Sequence, residues 1–269
     1  MSKPLDKEKI SKEKEYVLNQ IDSFIENLAS DDLKKANIFT KQLKQYINML
    51  CFERKFNPSR NIAYERGNVI RVDFGYNVGC ELGGPHYAVV LNNYGNQKSS
   101  TLNVVPLSSK KDKTVHKSNV DIGEDLYQKI NEKRLRLLEQ MKPTLLSLQE
   151  DAIDRCLATK ILSSDIAKFF SRLATENDLS ELKSLFTTSN NIMIQKAQSI
   201  EMPLLEFGDV FWELENMKHG SVALVSQIKT ISKIRVCDPK CTSDILYGIS
   251  LSEKSMSLID EKIKERFCK

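Results

Sequence analysis

Apolar residues recur at helical spacing along the first part of the chain. Ile10, Val17, Ile21, Ile25 and Leu28 form one stripe among lysines and glutamates. Leu33, Phe39, Leu43, Tyr46, Ile47 and Leu50 form a second. Ser30-Asp31-Asp32 supplies a break and an N-cap between them, and Asn57-Pro58-Ser59 ends the second stripe. The pattern predicts a helical hairpin over residues 1–60, its apolar seam forming core. At Arg66-Gly67 the period changes. Residues 68–74 (NVIRVDF) alternate, 87–91 (YAVVL) form a buried-type run, and 101–107 (TLNVVPL) read as a third strand. Gly75, Gly79, Gly83, Gly84 and Gly95 fall between these runs, where tight turns need positive φ.

From residue 124 to 220 the pattern is helical again. Leu126, Ile130, Leu137, Leu138, Met141, Leu145 and Leu148 make one stripe, which Pro143 is expected to kink or divide. Further apolar periods between residues 153 and 186 predict a bundle of three to five helices. Strand character returns at 222–228 (VALVSQI) and 230–236 (TISKIRV), and an amphipathic helix is expected over 252–267. Neither β-fragment is large enough to bury a core alone, so the two are expected to pair. The fold class that follows is α+β: one small β-barrel split by an inserted helical bundle and preceded by a helical hairpin. Its segments are 1–60, 61–123, 124–220 and 221–269.

Composition changes this picture little. The chain has 269 residues, 41% of them hydrophobic and 28% charged, with a formal charge of +4. No apolar run reaches the roughly 18 residues of a membrane span, and the charged N-terminus does not resemble a signal peptide. A cytoplasmic protein is expected. The six cysteines are scattered and read as reduced thiols; Cys237 and Cys241 have no second pair to complete a zinc site, so no metal and no cofactor is expected. Local charge says more. Residues 98–117 carry five lysines and a histidine against one aspartate, which reads either as a solvated loop or as a phosphate-contacting rim.

The residues themselves carry a resemblance. Arg66-Gly67-Asn68-Val69-Ile70, then the run from Asn77 through Glu81, Gly83, Gly84, Pro85 and His86 to Leu91, resemble the start of MazF/PemK-family toxins. Residues 101–109 (TLNVVPLSS) look like that family's next strand, residues 221–236 like its later strands, and 249–267 like its closing helix. The resemblance covers about 66–123 and 221–268. It implies an SH3-like barrel, usually a homodimer, that cleaves single-stranded RNA without a metal, and an antitoxin, protein or RNA, as partner. Carried over by position, the family's catalytic arginine falls on His86, its threonine on Ser108 and its loop acid on Glu81. The first two depart from the usual residue.

Metal-free RNA cleavage needs a base for the 2′-OH proton, an acid for the 5′-oxygen and donors for the phosphorane. Histidine is a weaker clamp than arginine but a better proton shuttle, with an unperturbed pKa of about 6.5. His86 is therefore expected as general base or acid, Ser108 as a phosphate donor, and Glu81 as loop-orienting or proton-transferring. Lys110, Lys111 and Lys113 are expected to supply the missing fixed charge. Lys229, Lys233 and Arg235 alternate as on one strand face, either solvated or lining an RNA groove. Tyr76, Tyr87 and Tyr94 are stacking candidates that packing explains equally well. The main reading is a toxin-type endoribonuclease of a toxin–antitoxin or phage-defence system. A non-catalytic RNA- or protein-binding module on the same barrel is the alternative. A fusion in which the hairpin acts as a built-in antitoxin is the third reading.

Overall fold

A computed structural model describes residues 6–93, 98–110, 115–150 and 205–268, the last seven of the third stretch by backbone alone. The chain divides into two units, residues 1–57 with 73–86 and residues 58–72 with 87–269.

In the first unit, α1 (Lys7–Asp31) and α2 (Leu33–Glu53) form the expected hairpin. One residue makes the break. The Asp32 N–H donates to Leu28 O at 2.8 Å, and its carboxylate accepts the Lys35 N–H at 2.9 Å. Asp32 thus ends one helix and caps the next. The seam is shorter than the periodicity predicts. Ala36 is buried, Ile21, Ile25, Leu28 and Leu43 are half-buried, and the rings of Phe24 and Phe39 meet edge to face at 5.0 Å. Ile10, Val17, Leu33, Tyr46, Ile47 and Leu50 are exposed. Each stripe is wider than the single face that two helices can share.

The second unit holds the sheet. Its strands are β1 (Val69–Asp73), β2 (Pro85–Val90), β3 (Thr101–Ser109), β4 (Val120–Gly123), β5 (Ser221–Ala223), β6 (Lys229–Ser232) and β7 (Val236–Asp238). The ends of β1 and β2 nearest each other in sequence run into the first unit. The antiparallel order is β4-β5-β3-β2-β1-β7, with β6 also on β3. Strands from both sides of the insertion therefore build one sheet, as the fold class required. Sequence reading missed β4 and joined what are separate pieces. Residues 222–228 divide into β5 and a 3-10 turn at Val225–Gln227, and residues 230–236 contain a second such turn at Lys233–Arg235. Through that second turn the strand leaving β3 as β6 joins β1 as β7, giving a barrel-like closure.

β3 is the hub, pairing with β2, β5 and β6. Pro106 sits inside it, a position normally hostile to proline. Its carbonyl accepts the Leu224 N–H at 2.8 Å, and its absent donor falls opposite the turn between β5 and β6. No ladder bond is lost.

α3 (Asp125–Glu150) leaves β4 and runs on through Pro143 as one helix, so of the expected kink or division the division does not occur. A further helix covers 205–216. The helices expected over residues 151–204 lie outside the described residues. What is described of the insertion is part of the barrel core: Leu126, Ile130, Met141, Phe207, Val210 and Leu214 belong to one buried cluster with Val69, Val89, Val105 and Ala223. The C-terminal helix (Glu253–Phe267) adds Ile259. Its N-cap is Ser252, whose N–H and hydroxyl both donate to Asp125 Oδ2, at 2.9 and 2.8 Å. No described helix is long and apolar enough to cross a membrane.

Candidate functional site

Two of the expected site residues, Glu81 and His86, belong to the first unit, on the segment between β1 and β2. That segment is pinched at its base. The Gly84 N–H donates to Gly75 O at 2.7 Å, and the Phe74 N–H to Gly84 O at 2.9 Å. Gly84 has φ +76°, a conformation that costs side-chain-bearing residues most. Gly83 is required for a different reason: a Cβ there would lie 2.8 Å from Gly75 O. Asn77 Nδ2 donates to Leu82 O and ties the two limbs together. Glu81 is exposed at the tip side, and His86 is half-buried as the second residue of β2.

Within the same unit α2 lies against this loop. The ring of Tyr76 meets Phe39 edge to face at 4.9 Å. Asp73 is buried and accepts the Gly75 N–H at 2.9 Å. With its amide turned to donate, Gln42 reaches the Asp73 carboxylate at 3.0 Å. A cleft of about 410 Å³ lies between α2 and the loop, with Lys35 and Glu81 among its lining residues. Sequence reading named neither Lys35 nor Gln42. Both sit on a helix whose pattern announces only a seam.

The other expected residues belong to the second unit. Ser108 is half-buried on β3 and paired with Val222 of β5. β2 lies on β3 with Ala88 opposite Pro106. Lys110 is 2.6 Å from Asp121, which holds the Asp121 carboxyl below its ordinary range, chiefly through that hydrogen bond. Part of the charge expected from Lys110 is thus already answered. Lys111 and Lys113 lie outside the described residues, as does Tyr94.

The basic strand face does not exist as expected. Lys229 opens β6 and Arg235 is half-buried at the end of the 3-10 turn, but Lys233 is only 2% exposed. Its ammonium lies 5.7 Å from the centre of the Tyr64 ring, and burial lowers its pKa. The turn breaks the alternation on which the expectation rested. Lys233 is a core residue rather than part of an exposed strand face.

Tyr87 is also packed rather than presented. Its ring lies against the hydrophobic core and its hydroxyl donates to Glu213 on the helix at 205–216. Arg71 of β1 stands 3.3 Å from both Glu213 and Asp238. Burial raises the pKa of both carboxyls, with Arg71 opposing. This network was invisible in sequence, because Arg71 reads as the polar residue of an alternating strand and Glu213 lies far away in the insertion. Among the described residues no three His, Cys, Asp or Glu side chains gather as metal ligands would.

The loop, both strands that flank it and β3 all fall within one stretch with known counterparts. Residues 65–157 match the family model of the PemK-like, MazF-like toxin of type II toxin-antitoxin systems. The PemK-like match begins one residue before Arg66 and runs beyond β4 into α3, so it covers the first barrel segment and the start of the insertion. It does not take in 221–268, whose strands nevertheless complete the sheet. PemK-like toxins are generally endoribonucleases, and a type II system pairs its toxin with a protein antitoxin. A search of curated proteins finds no match to the chain.

Proposed function

We propose that the protein is a toxin that cleaves single-stranded RNA by internal attack, without a metal. In this reaction the 2′-oxygen bonds to the adjacent phosphorus and the P–O5′ bond breaks. The products are a 2′,3′-cyclic phosphate and a 5′-hydroxyl. The 2′-OH proton goes to a base and the leaving oxygen receives one from an acid. His86 carries one of these transfers. The Ser108 hydroxyl donates to a phosphate oxygen, and Glu81 orients the loop or takes part in proton transfer. The toxin arrests growth unless a protein antitoxin is present.

The PemK-like match across β1, the loop, β2 and β3 carries this reading. The homodimer expected of such toxins and a cytoplasmic location belong to this proposal.

The test is incubation of the full chain with a long single-stranded RNA in EDTA. Wild type should cut it and His86→Ala should lose at least about a hundredfold in rate, the usual worth of a positioned acid or base. A His86→Ala protein that cuts normally would remove His86 from the mechanism. Wild type that binds RNA and never cuts it would favour the non-catalytic module.

A further inference from the structure

The cleft in the first unit joins parts of the chain of different standing. One wall is the loop carrying Glu81, inside the PemK-like match; the other is α2, which precedes the match altogether. Its volume, about 410 Å³, lies within the roughly 300–1,000 Å³ of sites that take small molecules or single residues of a polymer. Its lining is mixed in a particular way. Lys35 is a cation in the first turn of α2, its N–H held by the Asp32 cap. Tyr76 is held by its contact with Phe39 while 41% of it stays exposed. Gly79 and Gly84 bring bare backbone to the wall, and a Cβ at either would meet nothing within 4 Å. An aromatic ring held by one neighbour and still partly exposed offers a stacking surface to an unstacked base. A cation beside it is what the accompanying phosphate requires.

We infer that α2 forms the second wall of the RNA-binding groove, where one nucleotide enters the cleft with its base on Tyr76 and its phosphate at Lys35. The assignment rests on the ribonuclease reading for its substrate class. The hairpin is then a substrate-binding element, and the nucleotide it holds belongs to the stretch threaded past Glu81. Gln42 is a positioning residue: through the Asp73 carboxylate it fixes α2 to the root of the loop.

Binding is separated from cleavage by using a 2′-O-methylated single-stranded RNA, which has no nucleophile. Its affinity for the full chain is followed by fluorescence anisotropy across a range of salt. Lys35→Gln should weaken binding and reduce the slope of log affinity against log salt by about 0.7, the loss of one single-strand phosphate contact. Lys14→Gln, an equal charge change on exposed α1, should leave that slope unchanged. Tyr76→Leu should weaken binding at least about fivefold, as expected for a lost base stack, with Tyr76→Phe close to wild type. Lys35→Gln and Tyr76→Leu both binding like wild type would overturn the inference, as would a cleft that takes a peptide and leaves RNA affinity untouched. Wild type that cuts ordinary RNA with Lys35 indifferent sinks this inference alone. Lys35-dependent binding without cutting sinks the catalytic reading alone.

Discussion

Arg71 Nη2 stands 3.3 Å from two carboxylates, Glu213 and Asp238, both largely out of water. One guanidinium cannot offset the desolvation of two acids, so both pKa values rise and burial is the larger cause. A raised carboxyl binds more protons folded than unfolded. Its contribution to stability therefore falls as pH climbs from the unfolded value, near 4, through the raised native one. Glu213→Gln keeps an acceptor for the Tyr87 hydroxyl and removes the charge. Melting temperatures measured from pH 4 to 7 should show the variant gaining on wild type as pH rises; a constant difference would contradict the shift. At this scale the sequence offered some candidates and hid other contacts. His86, Glu81 and Ser108 could be named as candidates only through the resemblance to MazF/PemK-family toxins, which the glycine-spaced loop and the Pro-Leu-Ser-Ser run carry. Lys233 was misread because its burial depends on a 3-10 turn that leaves no mark in the hydrophobic pattern. Lys35 and Arg71 acquire roles only from partners brought by the fold.

Helices and strands were legible where their period ran long enough. The hairpin, the first three strands and the C-terminal helix all stand close to their expected spans, and the Ser30-Asp31-Asp32 run announced the cap that Asp32 makes. β4, four residues long, has too little pattern to be read, and the runs at 222–228 and 230–236 looked continuous because apolar residues bridge their turns. The Ser252 cap has a consequence beyond its own helix, since Asp125 of α3 accepts both of its donors. Ser252→Ala loses the cap and half of that contact together. It should cost about 1–2 kcal/mol in urea unfolding, at the upper end of measured cap removals. A cost near zero would mean that the C-terminal helix draws its order from Ile259 and the core alone.

The second unit has one core, and the insertion supplies much of it. Sequence could say that two β-fragments must pair across residues 124–220, but the pattern of a helix does not say what its apolar face meets. Leu126, Ile130, Phe207 and Leu214 meet the sheet. Lys133, itself nearly buried, adds a tie by donating to the carbonyls of Asp244 and Ile245 at 3.0 Å and pairing with Glu206 at 2.8 Å. Ile130→Ala, well outside any strand, should therefore destabilise the barrel by about 2–5 kcal/mol. Amide protons of β3 and of α3 should lose their protection against exchange together. Amide protons of α3 that exchange well before those of β3 would show that the insertion folds apart from the sheet.

β4 and β5 are antiparallel neighbours, and Gly123 lies opposite Ser221. The whole segment from 124 to 220 is thus, topologically, the turn of a β-hairpin. For a flexible chain each doubling of loop length costs only about 0.6 kcal/mol, so growing a turn of a few residues about sixteenfold costs roughly 2–3 kcal/mol. The contacts that α3 and the helix at 205–216 make with the core are of that order or larger. A hairpin tip that tolerates so long a passenger is a port. It can take further length between α3 and the helix at 205–216, whose core contacts must stay, while the strands on either side keep their register.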